Sequence, residues 1–174
     1  MLVSISGLPG SGTSTVGRAV ARDLGLDHLD GGQVFRGLAA ERGMDLVSFG
    51  ALAEADPQID VELDRRLGRR AAEGDVVLES RLAGWILTLE GHDGLRVWIA
   101  CDADERARRV AGREGRDARE ARAHNDAREA SEAVRYHAYY GIDITDLSPY
   151  DLVLDSTERP ADDLIAAIVS AAGG

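Results

Sequence analysis

The stretch "GLPGSGTST", Gly7 to Thr15, decides how the rest of the chain is read. Gly7, Gly12 and Ser14 meet the phosphate-binding pattern G-x-x-x-x-G-K-[ST], and Thr13 stands where that pattern has lysine. The stretch follows an apolar run at residues 2–6, and a helix-prone segment extends from it to about residue 24. Glycines let successive main-chain N–H groups close on phosphate oxygens, and a helix N-terminus adds roughly half a positive charge beside them. None of this needs lysine. Lysine ordinarily reaches the outer phosphates and spreads their charge during transfer. Thr13 offers one hydroxyl and no charge, so cationic groups must come from arginines elsewhere, or else the loop binds without turnover. Gly7, Leu8, Pro9, Gly10, Ser11, Gly12, Thr13, Ser14 and Thr15 are the candidate triphosphate-binding residues, and the Ser14 hydroxyl is the candidate Mg²⁺ contact.

Outward from the loop, short apolar runs alternate with helical stretches, the pattern of a parallel sheet wrapped by helices. Strands are expected at 2–6, 28–30, 76–80, 95–100 and 152–155. Helices are expected at 34–42, 46–55 and 59–73, punctuated by Gly43 and Pro57. A long arginine-rich helical stretch should run over 105–140, and a closing helix over 162–172. No repeat or linker divides the 174 residues, a length that suits one domain with helical inserts.

Composition narrows the function classes. All 20 basic residues are arginine and the formal charge is −11. Such a surface argues against duplex nucleic acid as a partner, because phosphate repels it and counterion release needs a basic face. The acidic, lysine-free composition fits a protein kept soluble in concentrated salt, and equally the arginine bias of GC-rich codons; stability in dilute buffer against molar KCl separates the two. No apolar run approaches a membrane span and Met1 leads straight into a strand, so a soluble, cytoplasmic protein is expected. The single cysteine, Cys101, is read as a buried strand-end thiol, and the four histidines lack metal-ligand spacing. No long exposed apolar seam is evident, and a monomer is the default expectation.

Two further segments suit anions. In "LDGGQVFRGLA", residues 29–39, Gly31 and Gly32 open a helix that carries Arg36 about one turn in. In "VVLESRLAGW", residues 76–85, Glu79 and Arg81 fall at the carboxyl edge of the sheet, where open α/β sheets bind ligands. Glu79 suits a Mg²⁺ ion held through water, or a structural pair with an arginine. Arg81 suits a bidentate grip on phosphate, or a surface salt bridge. Most arginines between 106 and 135 read as a solvated helix face, with a few free to close over a nucleotide and exclude water.

Together "SGLPGSGTST", "GGQVFRGLAAERGMDL", "DPQIDVELDRR", "VVLESRLAGW", "RVAGREG" and "RYHAYYGIDITDLSPYDLVLDST" resemble the archaeal-type cytidylate kinases of the nucleoside monophosphate kinase family, over nearly the whole chain. Loops of the type "GLPGSGT" are usual in that group. The resemblance implies an α/β P-loop NTPase fold: three layers, a five-stranded parallel sheet, an acceptor-binding helical insert and a lid. It divides the one domain into a core at 1–30, 76–112 and 150–174, an insert at about 31–75, and a lid region at about 113–141. It implies ATP and Mg²⁺, with ATP at the loop and CMP or dCMP as acceptor. It places the acceptor phosphate at Gly32, Arg36 and Arg81, and lid arginines at Arg113, Arg128 and Arg135. Arg36, Arg81, Arg128 and Arg135 are then the catalytic candidates. Ser80 departs from the glycine usual in "EGR" and brings a side chain close to the expected phosphates. "LDST", residues 154–157, is expected beside the adenine. Asp60, Asp64 and Arg65 are candidates for reading the cytosine edge; helix i,i+4 pairing is the reading preferred for these charges.

Overall fold

The computed structural model describes residues 1–173, apart from the side chains of residues 46 and 47. Five strands form one sheet in the order β2-β3-β1-β4-β5, and every pair is parallel. They are β1 (Leu2–Gly7), β2 (Asp27–Asp30), β3 (Val76–Glu79), β4 (Leu95–Ala100) and β5 (Leu152–Asp155). The strands expected from the sequence are these five, with bounds shifted by a residue at most.

Side chains alternate across the sheet, and each face has its own core. Val3, Ile5, Val77, Val97 and Ile99 pack on one face with α1 (Thr13–Leu24) and α8 (Ala161–Gly173). Leu2, Val76, Leu78 and Trp98 pack on the other with α4 (Pro57–Ala72), α5 (Ala83–Glu90) and the end of α7 (Ala118–Tyr140). These strands read as continuous apolar runs because both faces are covered.

Between β2 and β3 lie α2 (Gly31–Glu41), α3 (Leu46–Ala55) and α4, with a separate small core of Leu38, Ala39, Phe49, Ala53 and Ile59. The Asp30 and Asp56 side chains cap α2 and α4 by accepting the Gly32 and Gln58 N–H groups at 2.7 and 2.9 Å.

Three expectations are corrected. The stretch 105–140 is two helices, α6 (Ala103–Glu114) and α7: Gly115 ends the first in the left-handed conformation, and Asp117 caps the second. Helix α5 follows Arg81 directly, apolar on nearly every side, so it carries no helical period to reveal it. Cys101, beyond the end of β4, is half-buried rather than buried. No helix among the described residues is long and apolar enough to cross a membrane.

Candidate active site

At the carboxyl ends of the central strands lies a cleft of about 960 Å³. One side is the loop after β1. Gly10 and Gly12 have φ of 86° and 93°, the left-handed region that glycine enters freely. A side chain at Gly10 would also run into the Arg106 carbonyl, 2.6 Å from where its Cβ would stand. The N–H groups of Gly10, Gly12, Thr13 and Ser14 donate to no protein group among the described residues, and α1 has no side-chain cap. The helix therefore presents open donors to the cleft.

Gly7, Leu8, Pro9, Gly10, Gly12, Thr13, Ser14 and Thr15 all line the cleft. Ser11 does not. Its N–H turns back to the Leu8 carbonyl at 3.1 Å, its side chain is buried, and its carbonyl accepts the Ser156 hydroxyl at 2.8 Å. Its part is to tie the loop to the turn after β5.

Glu79, at the end of β3, is 5% exposed. Its Oε1 accepts the Ser14 hydroxyl at 2.5 Å, and its Oε2 lies 3.1 Å from His28 Nε2. Burial, the largest single influence, pushes this carboxyl up; hydrogen bonds from His28, Ser14 and Thr13 together outweigh it, and the group sits below its ordinary value. Its partners are thus a histidine and hydroxyls, and the expected alternative of an arginine pair is not found. Ser14 and Glu79 offer hard oxygen donors of the kind Mg²⁺ takes. No group of three or more His, Cys, Asp or Glu that could hold a metal ion is found among the described residues.

The other walls carry Arg36, Arg81, Arg113, Arg128 and Arg135, and also Gly32, so the structure brings all these candidates to one cavity. Most arrive already paired. Arg81 is partly buried, its side chain 16% exposed: its Nε donates to Glu132 Oε2 at 2.7 Å and its Nη1 to the Gly7 carbonyl. Glu132 also accepts Arg128 Nε at 2.8 Å. Burial pushes Glu132 up, but the two guanidinium groups hold it below its usual range. Arg135 donates to Asp60 Oδ2 at 2.7 Å and to the Ser131 hydroxyl at 2.6 Å. Arg36, half-exposed on α2, lies 3.5 Å from Asp30. Ser80 reaches the cleft wall, where its Cβ packs against Gly31, and its buried hydroxyl has no hydrogen-bond partner among the described residues.

The i,i+4 pairing preferred for Asp60, Asp64 and Arg65 is not what α4 shows. Asp60 pairs with Arg135, and Asp64 accepts the Tyr140 hydroxyl at 2.8 Å, so both reach across to α7. Arg65 lies with Asp64 in a separate hollow of about 200 Å³ beside Trp85 and Tyr140, outside the cleft.

Sequence reasoning also missed residues that build the site. Arg106 is 5% exposed rather than solvated; it bridges the Pro9 carbonyl at 3.2 Å, the Cys101 carbonyl at 3.2 Å and Glu129. The signal was its place on the buried stripe of Ala107, Val110 and Ala111. Arg109 lines the cleft near Gly12 and is held by the Ser156 carbonyl at 2.6 Å and Glu105 at 2.8 Å. His28 carried no sequence signal of its own, whereas Glu132 lies in "REASEAVRY", residues 128–136, whose R-E-x-x-E-x-x-R-Y run resembles that of the cytidylate kinases.

The comparisons with known proteins agree with this architecture. The sequence pattern of the cytidylate kinase-like family matches residues 2–158. A cytidylate kinase of Methanopyrus kandleri is 48% identical, covering 99% of this chain and 92% of its own. One from Halorubrum lacusprofundi is 49% identical, covering 97% and 89%. Among solved structures, an uncharacterized protein from Eubacterium ventriosum superposes with a TM-score of 0.76 at 18% identity, covering 100% of this chain and 99% of that one. Shikimate kinase from Acinetobacter baumannii, in complex with shikimate, gives 0.66 at 16% identity, covering 98% and 91%. These structural likenesses speak for the fold of P-loop kinases, and the sequence match is closer: the chain belongs to the cytidylate kinase-like family.

Proposed function

We propose that this protein is a nucleoside monophosphate kinase that transfers the γ-phosphoryl group of ATP to CMP, and to dCMP, giving ADP and CDP or dCDP. One observation carries the reading: open loop N–H groups and seven arginines line a single cleft, in a chain whose relatives are named cytidylate kinases.

No covalent enzyme intermediate is needed, because the acceptor's own phosphate oxygen attacks the γ-phosphorus in line. The loop N–H groups hold the donor's phosphates. Arg36, Arg81 and Gly32 orient the acceptor phosphate, while Arg113, Arg128 and Arg135 close from the lid side and spread the developing charge, the work a lysine at Thr13 would otherwise share. Ser14 directly and Glu79 through water would hold Mg²⁺, which neutralises charge on the phosphates when bound. Ser156 and Thr157 flank the donor's base. Asp60, whose Oδ1 has no hydrogen-bond partner among the described residues while Oδ2 takes Arg135, offers an acceptor next to a donor, the complement of a cytosine edge. The net charge of −11 argues against nucleic acid as a partner, and we take the protein to be a cytoplasmic monomer acting on small nucleotides.

The test is ADP formation with ATP, Mg²⁺ and a panel of CMP, dCMP, UMP, AMP and a hydroxyl acceptor such as shikimate. CMP should give the highest kcat/KM. A different best acceptor would replace the substrate assignment, and binding of ATP and CMP without CDP formation would make the protein a silent nucleotide-binding module.

A further inference from the structure

A buried carboxylate beside a phosphate site must be kept ionised and kept from rotating, and Glu79 has separate partners for its two oxygens. Oε1, towards the loop, takes the Ser14 hydroxyl at 2.5 Å. Oε2, behind it, takes His28 Nε2 at 3.1 Å. An ionised carboxylate only accepts, so Nε2 carries the hydrogen. His28 is in β2, opposite Val77, two residues before Glu79 on the same face of β3. Its side chain is 13% exposed and does not line the cleft, so it approaches the carboxylate from behind.

Room for the imidazole is made on α1. At Gly17, buried and mid-helix, a Cβ would stand 3.0 Å from His28 Nε2 and 3.6 Å from Glu79 Oε2. Glycine within a helix costs up to about 1 kcal/mol relative to alanine. That cost falls where the gap admits the ring.

From this geometry we infer that His28 is a positioning residue for phosphoryl transfer: it locks the Glu79 carboxylate with Oε1 on Ser14, and thereby sets the oxygen pair that meets the donor's metal ion. The inference rests on the proposed roles of Ser14 and Glu79. Without the imidazole, Oε2 loses its His28 hydrogen bond, and the carboxylate is free to swing from Ser14 towards another donor such as the Thr13 side chain. Thr13 makes the lock matter more, since no lysine ammonium stands at that position of the loop.

The experiment compares wild type with His28→Leu, which removes the hydrogen bond, and His28→Gln, which offers an N–H on a similar reach. Calorimetry gives the dissociation constant of ADP with Mg²⁺ and of ADP with EDTA; kinetics give kcat and KM for CMP. His28→Leu should weaken ADP binding in Mg²⁺ at least fivefold, while metal-free ADP binding and KM for CMP stay within twofold. His28→Gln should recover at least half of the loss on a logarithmic scale. Should the leucine variant not fold, Gly17→Ala takes its place, pressing on Nε2 and shifting binding in the same metal-dependent direction. Equal losses with and without Mg²⁺, or no loss in a folded variant, overturn the inference. Wild type that binds ADP equally well without Mg²⁺, or does not phosphorylate CMP, overturns the underlying reading instead.

Discussion

The two ends of the cleft hold their charges in different ways. At the proposed donor end the candidate anion-binding groups are main-chain N–H donors of the loop, fixed by two left-handed glycines, by the sheet beneath, and by buried Arg106 bracing the Pro9 carbonyl. No carboxylate covers them among the described residues. At the acceptor end the charge is carried by guanidinium groups that already have carboxylate partners: Arg81 and Arg128 on Glu132, Arg135 on Asp60, Arg36 near Asp30. The donor end is ready to fill. An acceptor phosphate bound as proposed must take these arginines from their carboxylates, so binding there would be a swap between partners. Such pairs keep arginine side chains ordered and limit the cost of leaving a buried charge alone. They also mean that acceptor affinity reflects a difference between two ion pairs, and that changes at this end should be felt more strongly than changes at the loop's side chains.

Arg81 gives the largest expected effect, because it joins the two ends: it holds the Gly7 carbonyl and Glu132 at once. Arg81→Ala should lower kcat more than tenfold, towards the roughly 10²–10³-fold scale of losing one donor aimed at developing charge. Steady-state kinetics with CMP check it, alongside Arg81→Lys and a melting curve to separate lost chemistry from lost folding. A folded alanine variant within twofold of wild type would mean that the acceptor phosphate sits elsewhere.

How much of this was legible beforehand follows the same division. The loop was readable because backbone conformation demands particular residues at fixed spacing, and Gly7, Gly12 and Ser14 announce it. Four of the five strands were readable because each is an apolar run between breakers; β2, with Leu29 its one apolar residue, is not such a run. The pairing of the acceptor-side arginines was not: the partners of Arg81 and Arg135 lie 51 and 75 residues away, and no local pattern encodes a contact of that range. Gly115 and Asp117 did mark the break between α6 and α7, but the arginine-rich composition on both sides masked it. His28 looked like any lone histidine, since only the fold brings β2 alongside Glu79.

A middle-sized effect should show that the α4–α7 link, which also carries the Asp60–Arg135 pair of the cleft, depends on a titratable group. Asp64 on α4 takes the Tyr140 hydroxyl from α7. Burial, reinforced by the charges of Asp60 and Glu90 and opposed by the Tyr140 hydrogen bond, raises its pKa from 3.8 to about 7. The folded state then binds this proton more tightly than the unfolded chain, so the contribution to stability is full at acid pH and is lost as pH rises towards 7. Glu79 and Glu132, both lowered, act in the opposite sense, which makes the difference between variants the quantity to measure. Asp64→Asn keeps an acceptor for Tyr140 and removes the titration. Between pH 5 and 7 wild type should lose about 2 kcal/mol relative to the variant in denaturant unfolding. Parallel curves would place no ionisation cost on the α4–α7 link.

The smallest effect is expected where the sequence departs most visibly from its motif. If the arginines of the opposite wall supply the charge that Thr13 lacks, Thr13→Lys adds an ammonium to a site already provided for, and kcat and KM for ATP should each stay within threefold of wild type. The lysine also faces a cost. Thr13 Cγ2 packs close to Gly7, and the Thr13 side chain contributes to holding Glu79, so the longer chain must leave both contacts to reach the phosphates. A rise in kcat above tenfold would show instead that the donor end is short of charge, and that the guanidinium groups serve only the acceptor. The near-neutral outcome would show that an arginine-rich wall and a lysine-bearing loop are alternative ways to place the same charge around one phosphoryl group.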